Sequence, residues 1–539
     1  MTHIQAWTHI QAWTRVFLGA LCAAFFAVTV GSASAAIVCV GAKQQPGCFS
    51  TINAGIAAAN PGDTVQVAPG TYREQVVINK PLSLIGAITA LTIIDASGSN
   101  TASGGNGVGI YINGMDNLTP AEKLVGGTGL SEVVVQGFTI VNAQFEGILV
   151  TNASNITILE NQVTGSNTGL QIPTNPGGCP FIPPWETSEG FDCGEGIHLA
   201  AVHHSSVANN IVDHNAGGIL LTDETGPNHD NLIIGNQITE NGYDCGITLA
   251  SHRPPTNLGF GSNPAVAFGV FHNTVAHNES SNNGLKVSGN GIGVGIFTSP
   301  GPPTFATMQT AAYDNVVIGN RLIGNGQPGV AMHAHKAGAI LTGNLVTGNY
   351  VAFNGADVAD NATPGPTGIN VDGGASGVSL SGNTVTGNII EHQTIDIAVR
   401  TEASTQIDVH LNNLLGEGIG VANQGSGRVN ATQNYWGCPG GPGAAGCSTV
   451  SGNVTVSSSL SRQLDIGEPV SDPPNPGTLG KQPLNSGQSM PAALQSLPAP
   501  LNPGGSGQMP LDPGQSLPAP LNPGTLGKQP LNPGQAGKP

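Results

Sequence analysis

Residues 315–332 read NVVIGNRLIGNGQPGVAM, and this unit recurs along the chain. Related copies begin at position 155 (NITILENQVTG), at 231 (NLIIGNQITENG), at 339 (AILTGNLVTGN) and at 378 (VSLSGNTVTGN). Each copy alternates apolar and polar residues over a few positions and then reaches a Gly or Asn turn. Strands this short cannot bury a face alone, so the pattern predicts units of about 22–27 residues that stack on copies of themselves.

The strands that begin with Gly fix which side chains face the interior. They read GILV from 147, GIHL from 196, GILL from 218, GVAM from 329 and GINV from 368. Because side chains alternate along a strand, Ile and Leu face the core and the residue between them faces outward. The turn asparagines are expected to adopt the left-handed conformation and to bond neighbouring backbone groups, which forms ladders through the stack.

Composition excludes some classes of function. The chain has 539 residues, of which 79 are Gly and 39 are Pro, and its formal net charge is −17. Only 9% of its residues are charged, so we expect no nucleic-acid partner, because such binding needs a basic surface. Gly at this level without a three-residue period excludes collagen and suits short strands with tight turns. The length allows several domains, although a repeat fold can run long as one body.

The N-terminal segment predicts export. Arg15 precedes the apolar run 16–30, and Ala33, Ser34 and Ala35 offer a cleavage site, so residues 1–35 are predicted to be a signal peptide. An uncleaved anchor is the alternative. The sequence contains no second apolar run of membrane-spanning length. We therefore expect a secreted, periplasmic or cell-surface protein without membrane insertion.

The C-terminal segment 468–539 is of low complexity. It is rich in Pro, Gly, Gln, Leu and Asn, and it repeats SLPAPLNPG at 496 and at 516. Proline at this density removes backbone donors and blocks helices, so a disordered, extended tail is expected.

Export permits disulfides, and the cysteines fit this environment. Cys39 with Cys48, and Cys438 with Cys447, are spaced as short staples near the two ends of the repeat region. A third pair, Cys179 with Cys193, would close an inserted loop. The remaining Cys245 is free, competes for Cys193, or binds a metal.

Two further segments carry a resemblance to a known superfamily. Residues 49–87, FSTINAGIAAANPGDTVQVAPGTYREQVVINKPLSLIGA, are similar to the N-terminal cap and first coils of the pectin-lyase-like right-handed parallel β-helix. The motif NYWG at 434–437 resembles the final coil of that group. The resemblance implies an all-β, single right-handed solenoid over residues 36–467. A helix from about Thr51 to Ala59 would plug one end and Trp436 would cover the other. The fold hosts lyases, hydrolases, esterases, epimerases and binding proteins, so it does not name a function.

The outward positions of the Gly strands suggest a site. With Ile and Leu of the Gly strands facing the core, Ala331, His333 and His335 face outward, and Asp372 and Arg400 fall in the same row on later coils. Stacked strands lie about 4.8 Å apart, so these side chains should form one ladder on an exposed surface.

The chemistry of that ladder suits an acidic polysaccharide. In a lyase reaction Arg400 and Lys336 would neutralise a uronate carboxylate while His333 or His335 removes the C5 proton. In a hydrolase, Asp372 would act with Asp223 or Glu224 instead.

Binding residues are expected around the same surface. His198 and His252 lie in or just after Gly strands, and Trp185 and Phe260 lie in long insertions that could wall a groove and stack on sugars. The sequence thus favours a monomeric, polysaccharide-binding or polysaccharide-cleaving protein.

A metal site is the second hypothesis. Asp223, Glu224 and His229 lie in one turn and could hold a divalent cation such as calcium. The repeat also resembles the NosD-like periplasmic group, which implies copper binding, and outward imidazoles would suit copper or zinc.

Overall fold

The computed structural model describes residues 35–41, 46–98, 107–167, 183, 185–186, 194–252, 258–260, 268–287, 290–298, 310–335, 337–358 and 362–467. The predicted signal peptide (except Ala35), the predicted tail, Lys336 and the proposed Cys179–Cys193 pair lie outside these residues. The described strands pair in parallel from coil to coil, as predicted for a β-helix. The all-β fold class is confirmed.

The strands form three stacks that together enclose the core. The stack that contains the Gly strands consists of Val76–Ile78, Ile110–Asn113, Ile148–Leu159, Glu195–His203, Gly217–Thr222, Ile247–Ser251, Val294–Thr298, Val330–Ala334, Thr367–Asp372, Ile395–Arg400, Ile419–Asn423 and Thr449–Ser451. The long strand Ile148–Leu159 continues into the second stack, which also contains Ile37–Val40, Thr64–Val67, Leu82–Gly86, Leu130–Gln136, Ser206–Ala208, Leu232–Ile234, Thr274–Ala276, Val316–Ile318, Leu345–Thr347, Thr384–Thr386, Gln406–His410, Arg428–Asn430 and Val454–Thr455.

The third stack is an 11-stranded sheet of short strands. Its members are Gly70–Tyr72, Thr92–Asp95, Thr139–Val141, Gln162–Thr164, Ile211–Asp213, Gln237–Thr239, Glu279–Ser281, Arg321–Ile323, Tyr350–Ala352, Ile389–Glu391 and Asn413–Leu415. Three two-residue strands, Asn228–His229, Val270–Phe271 and Ala312–Tyr313, pair beside the first stack.

Helices are few in the described part of the chain. The helix Ile52–Ala58 begins after Thr51, whose hydroxyl accepts a hydrogen bond from the backbone N–H of Ala54, and Ile52 and Ile56 are buried in the core. The expected N-terminal cap helix is therefore confirmed. A second helix spans Pro120–Val125, and 3-10 turns occupy Thr89–Leu91, Ala96–Gly98 and Met115–Asn117. No helix among the described residues has the length and apolar character to cross a membrane.

Asparagine ladders run through the turns, as the repeat predicts. In the longest one each asparagine side chain accepts from the backbone N–H of its counterpart one coil earlier. Its members are Asn161, Asn210, Asn236, Asn278, Asn320, Asn349, Asn388, Asn412 and Asn434. These side chains are buried. They satisfy backbone groups that a tight turn would otherwise leave unpaired.

The backbone of the ladder differs from the expectation in one respect. The left-handed residue is the one before each ladder asparagine, not the asparagine itself. That position holds Gly319 (φ 64°) before Asn320 and His277 (φ 52°) before Asn278. Histidine is among the residues that tolerate this conformation. Several turn histidines are thus explained by backbone geometry, namely His204, His214, His272, His277 and His392.

The ends of the β-helix are closed as expected. Trp436 is completely buried in the core cluster. Disulfides join Cys39 to Cys48 and Cys438 to Cys447. Cys245 is a buried free thiol.

One carboxyl group on the outward face of a Gly-strand coil is buried, and the effect of this burial on stability can be tested. Asp396 on strand Ile395–Arg400 is fully buried. Burial raises the pKa of this carboxyl well above its usual range, and the hydrogen bond from the Gly416 N–H only partly opposes this.

Because the folded-state pKa of Asp396 is raised, the unfolded chain releases this proton first as the pH rises, and stability falls. We expect Asp396→Asn to be more stable than the wild type at about pH 7 and equally stable at about pH 3. Urea denaturation at both pH values measures this. The exposed Glu417→Gln is the control, and an Asp396 variant without a gain at neutral pH would contradict the assignment.

Candidate functional site

The predicted outward row exists. His333, Asp372 and Arg400 occupy paired positions on three successive strands. Their neighbours Met332, Val371 and Val399 belong to the core, so alternation directs the three side chains away from it.

The row is nevertheless not an exposed surface. His333 is 3% exposed and Asp372 is 0% exposed, and the expectation that these side chains are freely accessible is wrong. His198 and His252 are buried in the same way. Alternation along a strand determines only whether a side chain points toward the core or away from it. Whether an outward side chain reaches solvent depends on other segments of the chain, and here such segments cover the outer face.

A first group of side chains, the His333 cluster, comprises His333, His335, Asp357, Asp372 and Arg400. The rings of His333 and His335 lie 4.5 Å apart between centroids. Nδ1 of His333 lies 3.8 Å from Oδ2 of the buried Asp357. Arg400 forms an ion pair with Asp372 through Nη2 and Oδ2, and the other Asp372 oxygen accepts a hydrogen bond from the Gly374 N–H at 2.7 Å.

The His333 cluster reaches solvent at one edge. His335 and Phe297 are partly exposed, and their rings lie 6.1 Å apart in a nearly parallel arrangement. The Arg400 side chain is 34% exposed. The cluster therefore runs from a buried carboxylate through two imidazoles to a partly open edge with an aromatic ring and a guanidinium group.

A second group, the Glu146 cluster, comprises Glu146, Glu186, His198, Glu224 and His252. Nδ1 of His198 lies 2.6 Å from Oε1 of Glu146 and 3.8 Å from Oε2 of Glu186. Nδ1 of His252 lies 2.6 Å from Oε1 of Glu224. Glu186 belongs to two sets of three, one with Glu146 and His198 and one with Glu224 and His252; the ligand atoms within each set lie within 4.8 Å of one another.

The two carboxyl groups at the ends of the Glu146 cluster differ in acidity. Burial and the charge of Glu224 raise the pKa of Glu146, although His198 opposes this. Burial alone would also raise the pKa of Glu224, but the charge and hydrogen bond of His252, with contributions from Glu186 and His198, lower it to about 2. One carboxyl group thus favours its proton and the other favours its charge.

The three residues expected to bind a cation in one turn lie in two different places in the structure. Glu224 and Asp223 are buried on the side of His252, where Asp223 accepts hydrogen bonds from the Ser251 hydroxyl and the His252 N–H. His229 instead lies near His204 and Asp230. The three expected ligands, Asp223, Glu224 and His229, therefore do not form one cluster.

His229 has a structural explanation. Its ring stacks between two other rings at nearly parallel angles, with centroid distances of 4.9 Å to His203 and 4.8 Å to Phe271. Phe271 in turn stacks on Tyr313. Equivalent residues on successive coils build this column, because parallel pairing places like positions above one another.

The aromatic residues of the insertions also differ from the expectation. Trp185 and Phe260 are 6% and 2% exposed, so they are not open platforms for a sugar. They pack in an apolar cluster on the outer face together with Phe145, Leu149 and Ala200. Trp185 lies 6.2 Å from the His198 ring between centroids. Trp185 thus places this apolar cluster beside the Glu146 cluster.

Sequence reasoning missed Glu146, Glu186 and Asp357. Glu146 directly precedes a Gly-Ile pair, as Glu195 does one coil later. An acidic residue at the same place in two units of a chain with few charges was the available signal. Glu186 and Asp357 follow no repeat position, and only the folded chain brings them to the clusters.

Two family models match the chain. A right-handed beta helix region matches residues 90–294, and the periplasmic copper-binding protein (NosD) family matches residues 267–454. None of the curated protein sequences matches.

Similar solved structures share little sequence with the chain. DFA-IIIase from Arthrobacter chlorophenolicus A6, in complex with GF2, is 12% identical with a TM-score of 0.42, and the alignment covers 80% of this chain and 99% of that one. The A-module of mannuronan C-5 epimerase AlgE4 from Azotobacter vinelandii is 14% identical with a TM-score of 0.38, covering 77% and 94%. The family 28 exopolygalacturonase of Yersinia enterocolitica is 12% identical with a TM-score of 0.35, covering 81% and 80%.

The parallel strand stacks and the family matches define the class. The chain is a right-handed parallel β-helix protein. Its second half carries NosD-like repeats.

The copper named by the NosD description does not fit the matched segment. Among the described residues of 267–454, no three His, Cys, Asp or Glu side chains bring ligand atoms within 4.8 Å of one another. Met332 points into the core and is completely buried. No thioether or thiolate set that would select copper is present among these residues.

Proposed function

We propose that this protein is an exported enzyme that cleaves an acidic polysaccharide by β-elimination at the His333 cluster. The observation that carries the proposal is the continuous row Asp357, His333, His335, in which only His335 reaches solvent. A base must contact the proton it removes. His335 is therefore the base that meets the substrate.

The other members of the cluster support that base. His333 lies between His335 and the buried carboxylate of Asp357. A negative charge behind an imidazole stabilises the cation that forms when the pair takes up a proton. Asp357 and His333 are thus positioning residues for His335.

Arg400 would bind the carboxylate of the uronate. Its guanidinium group is partly exposed and is held by the buried Asp372. A cation at the carboxylate favours loss of the C5 proton, because negative charge develops there in the transition state. The freed electron pair forms the C4–C5 double bond, the C4–oxygen bond breaks, and the leaving oxygen is protonated by water.

Phe297 offers the contact that a sugar ring would need. Its ring is partly exposed and stacks beside His335. Aromatic faces pack well against the apolar face of a sugar. The hydrolase alternative loses support, because Asp372 is engaged by Arg400 and Asp223 and Glu224 lie in a different cluster.

The test is His335→Gln assayed on a panel of acidic polysaccharides, with the ultraviolet absorbance of the unsaturated product as readout. We expect at least a hundredfold loss of kcat, typical for removal of a general base, with little change in KM. His333→Gln should lower kcat less and shift its pH profile.

The matched control is His392→Gln. His392 is also a partly exposed imidazole stacked on a phenylalanine, with 4.4 Å between its ring centroid and that of Phe353. This variant should keep full activity. A wild-type protein that forms no unsaturated product from any acidic polysaccharide, or a His335 variant as active as the control, would refute the proposal.

A further inference from the structure

The Glu146 cluster lies outside the site proposed for polysaccharide cleavage and has its own chemistry. Its two sets of three ligands share Glu186. All five side chains are at most 7% exposed, and three of them, Glu146, His198 and Glu224, are completely buried. An arrangement of this kind needs a reason, because burying carboxylates is costly unless they are paired or bind a metal.

The acidic groups of the cluster outnumber its basic groups. Three glutamates face two histidines, and Asp223 adjoins them through the backbone N–H of His252. One oxygen of Glu146, Oε2, has no hydrogen-bond partner among the described residues, although Glu146 is 0% exposed. A buried, unpartnered carboxylate oxygen beside an imidazole nitrogen is a ligand position for a cation.

Neighbouring residues hold the ring of His198 and the backbone of His252. The Nε2 atom of His198 lies 2.9 Å from the Thr222 hydroxyl, which leaves Nδ1 toward Glu146 and Glu186. His252 is held through its backbone N–H, which donates to Asp223 at 2.6 Å. Histidine ligands of metals usually have their second ring nitrogen held in the way that Thr222 holds Nε2 of His198.

We propose that the Glu146 cluster binds two divalent cations, one between Glu146 and His198 and one between Glu224 and His252, with Glu186 as the shared carboxylate. Each cation has one imidazole and two carboxylates as protein ligands. Imidazole with carboxylate suits zinc or manganese, whereas copper(I) prefers sulfur. Carboxylate-bridged pairs of cations about 3.5–4 Å apart are a common arrangement in proteins.

The Glu146 cluster lies outside the segment that matches the copper-binding family, because that match begins after His252. It is also independent of the polysaccharide proposal, since the two clusters share no residue. The cations complete the neutralisation of the buried carboxylates, so we infer that they stabilise this part of the β-helix.

The test uses the full-length, untagged protein, depleted of metal and reloaded with zinc. After dialysis, inductively coupled plasma mass spectrometry should find two zinc ions per chain. Anomalous X-ray scattering from zinc-loaded wild-type crystals should place both ions beside Glu186. Zinc should also raise the melting temperature of the wild type.

Conservative variants separate the two positions. His198→Gln and His252→Gln should each lose one zinc ion, and Glu186→Gln should lose both, while circular dichroism verifies the fold. His392→Gln, a histidine outside the cluster, should keep both ions. A wild-type protein without bound zinc at this place, or a single ion that survives Glu186→Gln, would overturn the proposal, whatever the activity on polysaccharides.

Discussion

Asn320→Ala is expected to lower the free energy of unfolding by about 3–5 kcal/mol, the largest stability effect we predict for a single side chain. Asn320 donates from its side chain to the carbonyls of Val275 and Ile318 and to Oδ1 of Asn349. Its own Oδ1 accepts from the backbone and side-chain nitrogens of Asn278. Alanine removes all these bonds at once and leaves buried backbone groups unpaired.

Urea denaturation followed by circular dichroism measures this change. Asn430→Ala is the matched control, because among the described residues the Asn430 side chain donates a single hydrogen bond, to Asp408, and it is only partly buried. We expect the control to cost at most about 1 kcal/mol. Equal losses from the two variants would show that the ladder adds nothing beyond an ordinary surface hydrogen bond.

Arg400→Met is expected to destabilise the protein by about 3 kcal/mol, because it leaves the fully buried Asp372 without its cation. Loss of the cation alone costs more than loss of both charges, since the Asp372 charge left behind is buried and isolated. The double variant Asp372→Asn with Arg400→Met should therefore recover much of the loss.

A double-mutant cycle of unfolding free energies measures the coupling between the two residues. Arg428→Met serves as control, since Arg428 is exposed and a change there should stay within about 0.5 kcal/mol. Additive losses for Asp372 and Arg400 would contradict the ion pair. Because Arg400 also belongs to the proposed cleavage site, stability and activity must be measured on the same variants.

The repeat in the sequence was sufficient to predict the fold. Each unit consists of a short alternating strand followed by a Gly or Asn turn, and the alternation is the same in every unit. Such units can bury their apolar side chains only by stacking on one another, and stacking places equivalent residues of successive units side by side. The paired row of His333, Asp372 and Arg400 follows from that alignment, and the structure confirms it. The helix after Thr51 and the buried Trp436 were implied by the resemblance of two local segments to a known superfamily, and the structure confirms them as well. The row depends on the period of the repeat, whereas the two end caps depend on short segments outside the regular repeat.

The accessibility of the outward side chains could not be predicted in this way. Alternation along a strand determines that His198 points away from the core, but not that Trp185 lies beside it on the outer face. The covering segments belong to no repeat and have no period. This is why Trp185 and Phe260 were expected to be exposed and are buried.

The sequence by itself determined the β-helix and the direction of the side chains on the strands that begin with Gly, because these depend on a period that local residues repeat. Only the tertiary structure decided which polar groups meet. Glu146 and His198 are 52 residues apart in the chain and lie 2.6 Å apart in space, whereas His229 is separated from its sequence neighbour Glu224 and joins His204 and Asp230. Coil stacking and insertions of unequal length set these distances, and neither is encoded in the spacing of the residues concerned.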